Sequence, residues 1–197
     1  MTYKLLIPVT LTAWLCAASA ANAQQALQTD LPLSYDYIFA SLAITELDSG
    51  GLEAGGSFTV APNIHVYGGY QDWELSENVD RSILQIGGAY HWDIATNLDL
   101  LVGAAIAKSE LDFRGPAEID DEGLILKAGI RGWITNDLEL SGELLLDDSL
   151  RSSMDSVIEV GGQYHTSPQF SIGGRVRVDE DETTLFIGGR FYFRAGR

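Results

Sequence analysis

From about residue 33 to residue 194, apolar side chains recur at every second position, and this two-residue period is the feature that most restricts the fold. Leu138, Leu140, Gly142, Leu144 and Leu146 alternate with Glu139, Ser141, Glu143, Leu145 and Asp147. Phe170, Ile172, Gly174, Val176 and Val178 alternate with Ser171, Gly173, Arg175 and Arg177, and Leu185, Ile187, Gly189, Phe191 and Phe193 enclose Arg190. Successive side chains of a strand point to opposite faces, so each stretch has one apolar and one polar face. A helix would instead repeat at three and four residues, and no such stretch stands out after Leu33. The alternation predicts ten strands, at 33–46, 51–61, 64–73, 82–92, 98–112, 122–134, 138–148, 156–165, 170–178 and 183–194. Eight is the alternative if the first hairpin, or a strand near 149–155, is misread.

The connections alternate in kind. Tight turns fall at 61–63, 94–97, 135–137 and 166–169, all carrying Pro, Asn, Asp or Ser, residues that set or tolerate turn dihedrals. Longer segments at 47–50, 74–81, 113–121, 149–155 and 179–182 separate them. Short turns at one end and longer polar loops at the other are the asymmetry of barrels inserted in an outer membrane. Paired small residues recur mid-strand at Gly55-Gly56, Gly68-Gly69, Gly87-Gly88, Ala128-Gly129, Gly161-Gly162, Gly173-Gly174 and Gly188-Gly189. They suggest a belt where strands bend or inward side chains need room, and they open no helix, so they are not a nucleotide loop.

A soluble barrel or sandwich would share the period, and other features decide against it. The polar faces of neighbouring strands carry both signs of charge: Lys127 and Arg131, then Glu139 and Glu143, then Glu159, then Arg175 and Arg177, then Arg190. These eight residues are expected to form a paired network inside a barrel, where an unpaired charge is costly. Aromatic residues gather near strand ends: Tyr35, Tyr37, Phe58, Tyr90, Trp92, Trp133, Tyr164, Phe170, Phe191 and Phe193 at the turn end, with Tyr70, Trp73 and Phe113 at the loop end. Such clustering reads as interfacial girdles. The last strand, residues 185–193, looks like the aromatic C-terminal strand recognised by the barrel assembly machinery, with Arg194-Ala195-Gly196-Arg197 following as a departure. The fold class expected is thus all-β: a single antiparallel up-and-down transmembrane β-barrel.

Residues 1–23 read as a cleaved secretory signal, with Lys4, an apolar core and Ala21-Asn22-Ala23. A short periplasmic segment, 24–32, would lead into the barrel, and 195–197 would be a tail. Cys16, the one cysteine, lies in the leader behind Trp14-Leu15, a poor context for lipid attachment. Disulfides, thiol catalysis and thiolate metal sites are excluded from the remainder. A net charge of −16 argues against nucleic acid as a partner, since phosphate binding draws on Lys and Arg.

The order of these elements resembles a family of small proteobacterial outer-membrane barrel proteins. That family includes an outer-membrane-vesicle protein once proposed as a secreted signalling or immune-eliciting factor. The likeness is carried by Asn63-Ile64-His65-Val66-Tyr67-Gly68-Gly69-Tyr70, Gly87-Gly88-Ala89-Tyr90, Lys127-Ala128-Gly129-Ile130-Arg131-Gly132, Gly161-Gly162-Gln163-Tyr164 and Phe186-Ile187-Gly188-Gly189-Arg190-Phe191. It implies the scaffold and the outer-membrane address, and no catalytic residues.

The residues themselves offer little chemistry. His65, His91 and His165 all fall beside short turns, away from the outer-leaflet side where barrel hydrolases work, and read as structural or interfacial. Glu139 and Glu143 share a strand face, but their cationic neighbours favour ion pairing over acid–base work. The acidic segments (Glu74, Glu77, Asp80; Glu118, Asp120, Asp121, Glu122; Asp147, Asp148, Asp155; Asp179 to Glu182) read as solvated loops able to collect divalent cations weakly. The expectation is a non-enzymatic outer-membrane protein with a structural or surface role, a largely closed charged interior and no cofactor. Lipid, lipopolysaccharide and the assembly machinery are its expected partners. A narrow channel or small-ligand barrel is the alternative, and an outer-membrane hydrolase ranks third.

Overall fold

The computed structural model describes residues 33–45, 49–76, 79–113, 118–148, 155–180 and 182–193. The expected leader, residues 24–32 and the tail lie outside them. Ten strands follow in chain order: β1 (Tyr37–Thr45), β2 (Gly50–Ala61), β3 (Ile64–Ser76), β4 (Val79–Ala95), β5 (Leu98–Phe113), β6 (Glu118–Trp133), β7 (Leu138–Asp147), β8 (Asp155–Ser167), β9 (Phe170–Val178) and β10 (Thr183–Tyr192). Each pairs antiparallel with its neighbours in sequence, and β1 pairs with β10 from Tyr37↔Tyr192 to Thr45↔Thr184, closing the sheet. Closure leaves no edge strand with unpaired backbone groups, as a lipid-spanning sheet requires. The expected class and the ten strands are observed.

Alternate positions take opposite faces along the wall formed by β7 to β10, with the apolar series outside and the inner face mixing polar residues with Val157 and Phe186. Leu140, Leu144, Ile158, Val160, Ile172, Val176, Leu185 and Ile187 are exposed on the outside, while Glu139, Val157, Ser171, Phe186 and Tyr192 are buried within. A surface this apolar would be unstable in water and is what acyl chains solvate. On β4 the outward apolar series runs from Leu84 to Ile94. Those ten residue steps, at about 3.3 Å each and tilted by about 40–45°, span roughly 25 Å of membrane normal, the height of an outer-membrane apolar band.

Three expectations are corrected. β1 begins at Tyr37 instead of residue 33, because the chain ahead of it sends the Tyr35 side chain and the Ser34 carbonyl into the lumen, while Asp36 holds the rim by accepting from the Thr59 and Phe193 N–H groups. β4, β5 and β6 are 17, 16 and 16 residues long, longer than expected, so Asp80, Glu118, Asp120 and Asp121 belong to strands and not to loops, as do Glu74 of β3 and Asp155 of β8. The outward side of this extension carries Lys108, Glu110, Asp120 and Glu122, with Lys108 bridging Glu110 and Asp120. It begins where Leu84, Ile106 and Leu124 end, consistent with a wall rising out of the lipid. Finally, the aromatic set divides. Phe58, Tyr90, Trp92, Tyr164, Phe170, Phe191 and Phe193 are exposed at the turn end, whereas Tyr35, Trp73 and Trp133 are buried inside. Period two assigns a face only relative to its strand, and Trp73 and Trp133 sit on the inward, polar parity of β3 and β6, beside Gln71 and Arg131.

At the turn end each tight turn is tied to the next hairpin. The His91 N–H donates to the Asn63 carbonyl, Trp133 to Asn97, His165 to Asp137 and Tyr192 to Gln169. Asn63 takes φ 64, a left-handed conformation that Asn tolerates, and its amide donates to the His91 carbonyl at 2.9 Å. The glycine pairs meet across strands, as in Gly55↔Gly69 and Gly162↔Gly174. A side chain at Gly129 would meet Cγ of Glu143 at 2.7 Å, and one at Gly103 would meet Cε of Lys127 at 3.1 Å. These glycines make room for the luminal charges.

Candidate functional site: the charged lumen

All eight charged residues singled out in the sequence project into the lumen, and the barrel brings them together in two groups of three and one looser pair, Lys127 with Glu143. The first lies toward the turn end and centres on Glu139 of β7, 1% exposed. Arg131 of β6 donates from Nε and Nη2 to its two carboxylate oxygens at 2.8 Å each, a bidentate fork. Arg190 reaches from β10 across the lumen to Glu139 Oε1 at 3.1 Å, and Nε2 of His165 lies 3.5 Å from Oε2. One carboxylate thus serves two guanidiniums.

The second group centres on Glu159 of β8. Arg177 donates to it from Nε at 3.1 Å, and Arg175 Nε lies 3.0 Å from its other oxygen. Arg175 also pairs across the lumen with Glu53 of β2, so one guanidinium bridges β8 and β2. Its face lies over the Phe186 ring, 4.0 Å from the centroid, a cation–π arrangement. Lys127 and Glu143 pair loosely at 3.9 Å, with the ammonium 3.7 Å from the centroid of Tyr67. A cavity of about 130 Å³ lies between the groups, lined by Lys127, Glu143, Glu159, Arg175, Arg177 and Arg190 among others. That room admits several waters.

Sequence reasoning missed Glu53, buried and hydrogen-bonded to Gln71 at 3.1 Å, although its inward parity between Gly51 and Gly55 was a usable signal. It also missed the plug at the turn end. Tyr35, 4% exposed, inserts its ring flat against His65 and His91, with centroids 4.4 and 4.3 Å away. Its hydroxyl donates to Asp99 Oδ2 at 2.7 Å. Arg131 Nη1 holds the carbonyl of Ser34 at 3.0 Å, tying the plug to the Glu139 group. Nothing in the alternation foretells this, because Tyr35 precedes the first strand. His65, His91 and His165 stand at the turn end and face inward, among aromatic rings.

An apolar exterior about one bilayer tall around a packed, charged lumen defines the class: a β-barrel of the transmembrane type. The sequence matches no family model and no curated protein. Among solved structures, the chain is similar to the translocator domain of autotransporter NalP from Neisseria meningitidis, with a TM-score of 0.50 and 11% identity over 93% of this chain and 97% of that one. It is also similar to the KdgM porin, with a TM-score of 0.49 and 11% identity over 80% and 99%. The N-terminal β-barrel domain of Pseudomonas aeruginosa OprF gives 0.40 and 13% over 80% and 96%. At such identities the likeness is one of fold alone.

Proposed function

We propose that the protein is a non-enzymatic outer-membrane β-barrel with a structural or cell-surface role, whose lumen is closed to large solutes. The observation that carries this reading is the crossing of the lumen by ion pairs, Arg190 to Glu139 and Arg175 to Glu53, with Tyr35 seated at the turn end. Two arginines hydrogen-bonded across a ten-stranded barrel leave no wide aqueous path, and barrels of this size lack the porin bore. Lipid and lipopolysaccharide are the surroundings its outer face suits, and the exposed Phe191 and Phe193 at the end of β10 suit recognition by the barrel assembly machinery. The likeness of residues 63–70 and 186–191 to small proteobacterial barrels supports the same address. Planar bilayers provide the test: little or no conductance is expected, and steady passage of large solutes would overturn the proposal.

The central cavity favours a second reading, a narrow ion path or small-ligand chamber lined by Lys127, Arg175, Arg177 and Arg190. Replacing Arg175 or Arg131 with a neutral residue separates the two. A path changes ion selectivity, whereas a structural pair loses thermal stability with no change in current.

A further inference from the structure

At the turn end of β4 and β5, register places two carboxylates and an imidazole on one inward face. Asp93 and Asp99 are direct cross-strand partners, and His91 lies two residues before Asp93 on the same face. One ligand atom from each of the three lies within 4.8 Å of the others.

Two independent observations point to a missing partner. Like charges placed directly opposite in an antiparallel pair repel, and here one of them, Asp99, is buried. On its other flank Asp99 faces Arg131 of β6, and its side-chain hydrogen bond is the one the Tyr35 hydroxyl donates to Oδ2, which leaves Oδ1 without a side-chain donor among the hydrogen bonds of the described residues. The hydrogen bonds of the Arg131 guanidinium go instead to Glu139 and to the Ser34 carbonyl. Second, Nδ1 of His91 is buried without a hydrogen-bond partner among the described residues, and a buried polar atom left so is costly. The Tyr35 ring stacked on His91 and the Asn63 amide on the His91 carbonyl hold the imidazole in place.

We propose that His91, Asp93 and Asp99 form a binding site for a divalent transition-metal ion of the zinc class at the turn-side mouth of the barrel. A bound ion converts the Asp93–Asp99 repulsion into shared coordination. One imidazole and two carboxylates are a ligand set that zinc accepts, with a water completing four-coordination. The Tyr35 hydroxyl on Asp99 is then the outer hydrogen bond that orients a ligating carboxylate. Imidazole ligation favours zinc over calcium or magnesium, which take oxygen ligands. The site lies at the opposite end from the acidic extension of β4 to β6, so it is not the loose cation collection expected of acidic loops.

The test is calorimetric titration of Zn²⁺ into the folded full chain in detergent micelles, alongside His91→Gln, Asp93→Asn and Asp120→Asn, the last in the acidic extension. Asp93 is exposed and His91 lies near the mouth, and heat-modifiability on gels checks that each variant is folded. One saturable site is expected, weakened about tenfold or more in His91→Gln and in Asp93→Asn and unchanged in Asp120→Asn. Absence of saturable binding, wild-type affinity in either of the first two variants, equal weakening in Asp120→Asn, or equally tight Ca²⁺ binding would each overturn the proposal.

Discussion

Glu139→Ala removes the counter-charge of two buried arginines at once. Glu139 accepts from Arg131 at 2.8 and 2.8 Å and from Arg190 at 3.1 Å. Hydrogen bonds to charged groups contribute about 1.5–3 kcal/mol each, so three represent roughly 4.5–9 kcal/mol gross. Water entering the vacated space recovers part of this, and breaking a buried pair from one side typically costs about 3–5 kcal/mol. A loss of that size lowers the folding equilibrium constant by about two to three and a half powers of ten. Urea unfolding of the barrel in lipid vesicles, followed by tryptophan fluorescence and by gel mobility before boiling, measures it. A triple variant with Arg131→Met, Glu139→Leu and Arg190→Met removes the charges together and is expected to cost less than Glu139→Ala alone, because no unpaired charge is left. A loss below about 1 kcal/mol for Glu139→Ala would show that the arginines are hydrated in the lumen and that the ion-pair reasoning fails.

Other perturbations test separate parts of the account. Tyr35→Phe deletes the donor to buried Asp99 and is expected to cost about 1.5–3 kcal/mol in the same unfolding assay, while Tyr35→Ala should also raise brief conductance events in planar bilayers by opening the turn-side mouth. Gly129→Ala places a methyl group against Cγ of Glu143, and overpacking of this kind is expected to cost about 1–3 kcal/mol. Leu144→Arg puts a charge on the lipid-facing wall and should destabilise by about 2–4 kcal/mol if Leu144 lies near the midplane. Glu122→Gln, on the extension above the apolar band, should change stability by less than about 0.5 kcal/mol. Similar losses for these last two would mean that the band is misplaced.

Alternation alone was sufficient for much of this molecule. Period two at Leu138 to Asp147 or Phe170 to Val178 assigns each side chain to a face, and ten such stretches joined by short turns specify an up-and-down sheet. Opposite charges on neighbouring strands, as at Arg131 and Glu139, also anticipate adjacent pairing, since antiparallel register brings such positions together. Strand ends were less legible: charges such as Asp120 and Asp121 look like loop residues when the strand simply continues beyond the lipid.

Only closure of the barrel decided the rest. The contacts of Arg190 with Glu139 and of Arg175 with Glu53 join strands that are not neighbours, and their partners depend on lumen width, which no local pattern encodes. Tyr35 stacks on His65 and His91 because the chain before β1 turns inward, and His91, Asp93 and Asp99 meet because of the β4–β5 register and the way that ring packs. Local periodicity sets which way a side chain points; which groups then meet is a property of the closed sheet.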